Sequence, residues 1–316
     1  VNPHAVPTVD VLLVSYEQAD FLPGALDSIL AQTYGDFRIL AIDDGSRDRS
    51  LDILHDYRHR HPGKIVLLTH DGNRHRGIGE TYRLGCSNLE GSITAFLEAD
   101  DRWESDNLKK KISVFEKYPA AGVVYSDCKP FGDSSAAFYW KIHRKINRLR
   151  IPEGTPYDPF ETFLRRNPVS CFANFAVRRP LLEKIPWPPP AMTRRLDWWI
   201  LAHLALRAPF VFIPDRLVHW RIHRGSASHG RWNAAELWRY HKFLQRLYVS
   251  LMNSLPASPR ERKQIRRRKA LEKALCEQIF IDETRNWFHP VQFLRHPLAT
   301  LRFLAHVLIK NSFYQS

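Results

Sequence analysis

Over residues 1–126 the chain alternates short apolar runs with stretches of helical periodicity, and this alternation constrains the fold more than any other feature. Residues 9–16 form a run rich in Val and Leu that reads as a buried strand. Leu22, Leu26, Ile29 and Leu30 then recur at helical spacing, and residues 37–42 make a second apolar run. A helical pattern through Leu51, Leu54 and Tyr57 follows, with further strand candidates at residues 65–69, 93–97 and 123–125. Strands separated by helices in this way predict parallel strands covered by helices, since a parallel crossover needs a dozen or so residues that a helix supplies compactly. Residues 129–195 carry many prolines, among them the three after Trp187, and read as long loops with short strands over a site. Strand signals resume at residues 210–213 and 217–222.

Beyond residue 230 the texture changes. Residues 231–316 hold 16 Lys and Arg against 6 Asp and Glu, so most of the formal charge of +14 lies in a tail that reads as helical. Such a balance favours anionic partners: nucleotides, nucleic acid or an acidic membrane surface. The four cysteines, Cys86, Cys128, Cys171 and Cys276, are far apart, which argues against a zinc ribbon, a CxxC centre or a disulfide scaffold and predicts a reducing compartment. The best apolar stretches, residues 200–213 and 298–309, are interrupted by Arg or His and are not expected to span a bilayer. The opening residues do not form a basic-then-apolar leader, and the lack of an initial Met points to a trimmed start.

Two acidic clusters follow strands. Ligands of open sheets bind beyond the carboxyl ends of the strands, so carboxylates there are the first suspects. Asp43-Asp44-Gly45-Ser46 follows the second run directly, with Asp48 close behind. A carboxylate at that edge can accept from a base N–H or from ribose hydroxyls; equally, Asp44 or Ser46 can cap the next helix. Glu98, Asp100 and Asp101 put three carboxylates within four residues after a strongly apolar strand. Their mutual repulsion calls for a cation, and hard oxygen ligands suit Mg²⁺ or Mn²⁺ bridging the phosphates of a nucleotide. The alternative is a solvated acidic turn before the helix from Glu104. Gly77-x-Gly79 lacks the third glycine of a dinucleotide fingerprint, and no Walker A sequence occurs.

These clusters, after a first strand ending Val14-Ser15-Tyr16, resemble the inverting glycosyltransferases of family 2, with the GT-A fold: an α/β, Rossmann-like, mostly parallel sheet flanked by helices. The resemblance covers residues 8–228 and includes the segment from Gly77 to Gly85 followed by Gly91, although Thr81-Tyr82-Arg83 departs from the family's usual Ala-Arg-Asn. It also includes Trp220-Arg221-Ile222-His223 with Ser226 and Ser228. Residues 1–230 are thus expected to form a GT-A nucleotide-sugar domain and residues 231–316 a basic C-terminal helical extension.

The resemblance also implies roles. Ser15, Tyr16 and Glu17 would line the nucleotide pocket, Asp43 or Asp44 would read base and ribose, and Arg76, or in its place Arg74 or Arg83, would lie near the nucleotide. Asp100 and Asp101 match the carboxylates that meet the diphosphate-bound metal, with His223 completing that site. Glu98 replaces the usual first Asp and falls to the sugar side. Arg221 and Arg224 would offset diphosphate charge. Asp197 stands where relatives carry the base that takes the acceptor's proton, with helix capping as its other reading. Trp198 and Trp199 would line the sugar or acceptor site, unless they pack in the core. The remaining histidines read as surface residues.

The function expected is a metal-dependent inverting transfer of a hexose-type sugar from a nucleotide-diphosphate donor, a UDP-sugar foremost, to a hydroxyl of a glycan or lipid-linked acceptor in surface polysaccharide or glycolipid assembly. The rivals are a sugar nucleotidyltransferase, whose Gly-rich, Arg-containing loop is missing after the first strand, and a basic nucleic-acid-binding protein, which the carboxylates disfavour. The run of seven basic residues and one acid at 260–269, with an apolar helix face of Leu294, Leu298, Leu301, Leu304 and Leu308, predicts a cytoplasmic protein peripheral on the anionic inner face of a membrane.

Overall fold

A computed structural model describes residues 8–132, 151–189, 195–223, 234–254 and 258–284. The basic run at residues 141–150, Arg224, Ser226, Ser228 and the apolar face expected from Leu294 to Leu308 lie outside the described residues. Two compact units divide the chain after Ile222.

The first unit opens with β1 (Val9–Ser15), α1 (Leu22–Leu30), β2 (Phe37–Asp43), α2 (Ser50–Arg60), β3 (Ile65–Thr69), α3 (Ile78–Cys86) and β4 (Ile93–Glu98). These follow the alternation read from the sequence. β1 pairs in parallel with both β2 and β4, and β2 with β3. All seven residues of β1 are buried, as a central strand covered on both faces requires. The single charge in it, Asp10, is fully buried and fully engaged: Arg38 Nε donates to Oδ1 at 2.5 Å, and the N–H groups of Glu90 and Gly91 donate to Oδ2 at 2.6 and 2.7 Å. α3 lies close on the sheet because Gly85 has no side chain; a Cβ there would come within 2.8 Å of Ile42 Cδ1 and 2.9 Å of Leu12 Cδ2.

The unit continues with β5 (Arg102–Trp103), α4 (Asn107–Lys117), β6 (Val123–Gly132), β7 (Pro156–Tyr157), α5 (Phe160–Arg165), β8 (Phe175–Arg178), α6 (Arg179–Leu182), α7 (Leu196–Leu204) and β9 (Phe210–Ile222). The strand order is β3-β2-β1-β4-β8-β6-β9-β5, with β7 on β9. β8 runs antiparallel to both its neighbours, so the sheet is parallel from β3 to β4 and mixed beyond. β8 comes from the Pro-rich middle, where the sequence promised only loops and short strands. The two runs expected at residues 210–213 and 217–222 are one strand. Its register against β6 shifts around Asp127, from Ser126 opposite Ile213 to Asp127 opposite Arg216, so Pro214, which has no N–H to donate, has no partner in this ladder.

The second unit contains α8 (Ala234–Asn253) and α9 (Pro259–Thr284), the described part of the helical extension. Tyr248, Leu247 and Leu251 of α8 and Ile265 of α9 are buried within it. Among the described residues no helix is long and apolar enough to cross a membrane.

Gly45 gives the fold a test. It holds a φ of +76°, and a Cβ there would sit 2.5 Å from the His75 nitrogen and 2.7 Å from the Arg74 carbonyl carbon. Gly45→Ala is expected to cost roughly 2 kcal/mol or more in chemical denaturation, from left-handed strain and backbone collision together. Gly35→Ala, with open space around the new methyl, should stay within about 0.5 kcal/mol of the parent.

Candidate active site

The register of the three central strands brings their carboxyl ends level. Ser15 lies opposite Asp43, and Val14 opposite Glu98. Beyond this edge the Asp44 N–H donates to the Ser15 carbonyl at 2.9 Å, and the Ala99 N–H to the Val14 carbonyl at 3.1 Å.

Asp43 is fully buried and its acceptors are filled by its own turn: the N–H groups of Gly45 and Ser46 donate to Oδ2 at 3.0 and 2.8 Å, and the Ser46 hydroxyl to Oδ1 at 2.6 Å. Asp44 is filled from the loop after β3. The Arg76 and Gly77 N–H groups donate to it at 2.7 and 2.9 Å, and His75 Nδ1 lies 3.0 Å from Oδ2. Arg76 thus meets the site through its backbone, with its side chain exposed. The remainder of the acidic turn holds the β1–α1 loop: Ser46 Oγ, Ser50 Oγ and Asp48 Oδ2 accept the successive N–H groups of Glu17, Gln18 and Ala19 at 2.9, 3.0 and 2.9 Å. Glu17 is bent into a φ of 51° by this clasp. Tyr16, 38% exposed, lays its ring against His75 at 4.0 Å. Ser15 Oγ is buried with no hydrogen-bond partner among the described residues.

The second cluster is organised the opposite way. Ligand oxygens of Glu98, Asp100 and Asp101 all lie within 4.8 Å of one another. Glu98 therefore belongs with the two aspartates. Asp101 Oδ1 accepts the Arg221 N–H at 2.8 Å, while Oδ2 is buried without a partner among the described residues. Burial, then the charges of Asp100 and Glu98, push the Asp101 carboxyl well above the usual range. Burial, then Asp100 and Asp197, raise Glu98 to about 8. Arg221 Nε donates to the Asp100 carbonyl at 3.0 Å, and its guanidinium sits between the rings of Phe21 and Phe131 at 4.5 and 4.3 Å. These contacts hold the cation beside the carboxylates without pairing it to them.

Asp197 lies in the first turn of α7, after Arg195 in a left-handed conformation at φ 65°. Asn167 Nδ2 donates to Asp197 Oδ2 at 2.6 Å, and the Asn167 amide is itself oriented by the Val169 N–H, which donates to its Oδ1 at 3.1 Å. Burial raises the Asp197 carboxyl, against those hydrogen bonds. Trp198 and Trp199 are 5% and 3% exposed. Their indole N–H groups donate to the Phe163 and Pro186 carbonyls, both at 2.7 Å. The stacking surface expected of them is thus taken up by the core, since α7 is apolar on nearly every side. His223 is half-buried and directly follows the last residue of β9.

Several contributors escaped the sequence reading. His75 and His70 approach Asp44, and His203 is fully buried, with Nδ1 2.8 Å from the Trp199 carbonyl and its pKa lowered to about 4 by burial. His241 is buried as well, so the histidines are not all surface residues. Asn167 gave no signal because an isolated Asn in a Pro-rich stretch reads as a turn residue.

The family model for glycosyl transferase family 2 matches residues 10–185. An uncharacterized glycosyltransferase of Nostoc sp. is 27% identical over 226 residues, covering 70% of this chain and 66% of that protein, just under two thirds of its length. Among solved structures, S. aureus TarS in complex with UDP-GlcNAc aligns with a TM-score of 0.60 at 16% identity, over 84% of this chain and 72% of that one. The mannosyltransferase PcManGT of Pyrobaculum calidifontis, in complex with GDP-Man and Mn²⁺, aligns at 0.59 and 17% identity, over 99% of this chain and 86% of that one. These likenesses establish the GT-A fold. With the family match running through both acidic clusters, from β1 to the segment after β8, the chain belongs to glycosyl transferase family 2.

Proposed function

We propose that this glycosyltransferase is metal-dependent and inverting, and that it moves a sugar from a nucleotide-diphosphate donor, UDP-sugar foremost, to a hydroxyl of a glycan or lipid-linked acceptor. The observation that carries the reading is the Glu98–Asp100–Asp101 group, three carboxylates within 4.8 Å with one buried oxygen, Asp101 Oδ2, unpartnered among the described residues. A hard divalent cation fits that donor set. Glu98, Asp100 and Asp101 would hold Mn²⁺ or Mg²⁺, which would supply Lewis-acid stabilisation of the departing diphosphate. His223 is the candidate fourth contributor.

The chain's own groups do the rest. Tyr16 and His75 offer the aromatic surface at the nucleotide end of the edge, beside the buried Ser15 Oγ, which has no hydrogen-bond partner among the described residues. Arg221 places a positive charge against the diphosphate, assisted by Arg224. Asp197 takes the acceptor hydroxyl's proton, and Asn167, donating to its Oδ2, holds the carboxyl in place. The support for UDP is outside this chain's contacts: TarS carries UDP-GlcNAc in its complex, while PcManGT carries GDP-Man.

Calorimetric titration of UDP, GDP, CDP and ADP, each with and without Mn²⁺, decides the donor class. One diphosphate is expected to bind at micromolar affinity in a metal-dependent manner, and Asp101→Asn should weaken it at least tenfold; no binding by any of the four overturns the reading. Asp197→Asn is expected to leave donor affinity intact and lower kcat by roughly 10²–10⁴-fold, the usual span for a lost general base. Asn167→Ala should lower kcat by roughly tenfold, about one hydrogen bond's worth, again with unchanged donor affinity in the same titration.

A further inference from the structure

The second unit carries a charged surface formed by residues other than those assigned to sugar transfer. Its described side chains, residues 238–254 and 258–273, include eleven Lys and Arg and only two acids. Both acids are spent internally. Glu272 is buried against His241 Nδ1, and its backbone carbonyl accepts the Gln245 amide at 3.1 Å. Glu261 closes the start of α9: it accepts the Ser258 N–H at 2.7 Å, while its own N–H donates to Ser258 Oγ at 3.3 Å. Among these described side chains the charge left exposed is positive. Arg260, Lys263, Arg266, Arg267, Lys269 and Lys273 are all exposed on α9, whereas Ile265 is fully buried. At 1.5 Å per residue this stripe is about 20 Å long, and at 100° per residue it wraps about half of the helix. Near its start, Pro259, Arg262, Lys263, Arg266 and Arg267 line one shallow depression.

α8 adds apolar surface. Trp238 and Val249 are each 38% exposed, and Lys242 Nζ lies 5.3 Å from the Trp238 ring centre. Trp238, Lys242, Arg246 and Val249 recur at helical spacing along one face. A nucleic-acid backbone could take the α9 cations, but it would leave Trp238 and Val249 uncovered. A lipid headgroup layer offers a partner to each kind of group, since cations suit its phosphates and a Trp suits its apolar boundary.

We propose that the second unit is a docking surface for a bilayer of anionic phospholipid, with the exposed α9 cations on the headgroup phosphates and Trp238 as an interfacial anchor. The surface is independent of the donor and acceptor assigned above.

The test is sedimentation of the full chain with phosphatidylcholine vesicles, pure or containing about one third phosphatidylglycerol. Strong partition is expected only onto the anionic vesicles, falling steeply with added salt. Lys263→Gln/Arg266→Gln/Arg267→Gln should weaken it roughly 100-fold, at about fivefold per cation. Arg58→Gln, an exposed cation on α2, should leave it unchanged. Thermal unfolding establishes that the triple variant is folded; should it not be, the salt dependence of the parent chain decides the matter. Equal binding to neutral vesicles, salt-independent binding, or a folded triple variant that binds as the parent does would overturn the proposal. Tighter binding to a duplex oligonucleotide than to the vesicles, lost in the triple variant, would overturn it in favour of nucleic acid.

Discussion

The carboxylates of Asp43 and Asp44 fix the geometry on which the carboxyl edge of the sheet depends. An ionised carboxylate out of water is tolerated only when donors replace its hydration, and charge-assisted hydrogen bonds to backbone N–H groups are the strong form of that replacement. Asp43 gathers its own turn, and Asp44 gathers the loop at Arg76 and Gly77. The turn in turn clasps the β1–α1 loop through Ser46, Asp48 and Ser50. Three loops from three strands are thereby tied into one frame, and the rings of Tyr16 and His75 come together, tilted by 32°, as a result.

The two acidic clusters look alike in the sequence and are electrostatic opposites in the fold. The first is filled with donors and holds structure. The second leaves Asp101 Oδ2 without a hydrogen-bond partner among the described residues, sets Asp100 and Glu98 against it, and lets burial raise the Asp101 and Glu98 carboxyls. Arg221, clamped between two rings, is held close by.

Much of the fold was legible because a strand buried on both faces must be largely apolar, and β1, β2 and β4 are, apart from Asp10, Arg38, Thr94 and the polar residues at their carboxyl ends. β8 was not, because four residues in a Pro-rich stretch carry no periodicity. The continuity of β9 was hidden by Pro214, which signals a break but sits in a register shift instead. At the site, adjacent carboxylates announced themselves, but their division of labour depends on which N–H groups arrive from distant loops. Trp198 and Trp199 illustrate the same limit: an aromatic pair next to a catalytic candidate suggests stacking, whereas the surrounding apolar helix buries both. Asn167 acts on Asp197 across 30 residues, and only the fold brings them together.

The placement of β8 also bears on how the chain comes to be folded. β3, β2, β1 and β4 can assemble from residues 9–98 alone, through local crossovers. One side of β4 is then an open strand edge, because its partner at residues 175–178 comes some 80 residues later. At a synthesis rate of about 5–20 residues per second, that edge waits roughly 4–16 seconds for β8. β6 is made in the meantime, yet β8 must slot between it and β4, so the sheet cannot zip up in chain order. Closing it is a non-local step and should set the pace of folding, while the unpaired edge of β4 is the place where a nascent chain is most open to pairing with the wrong partner.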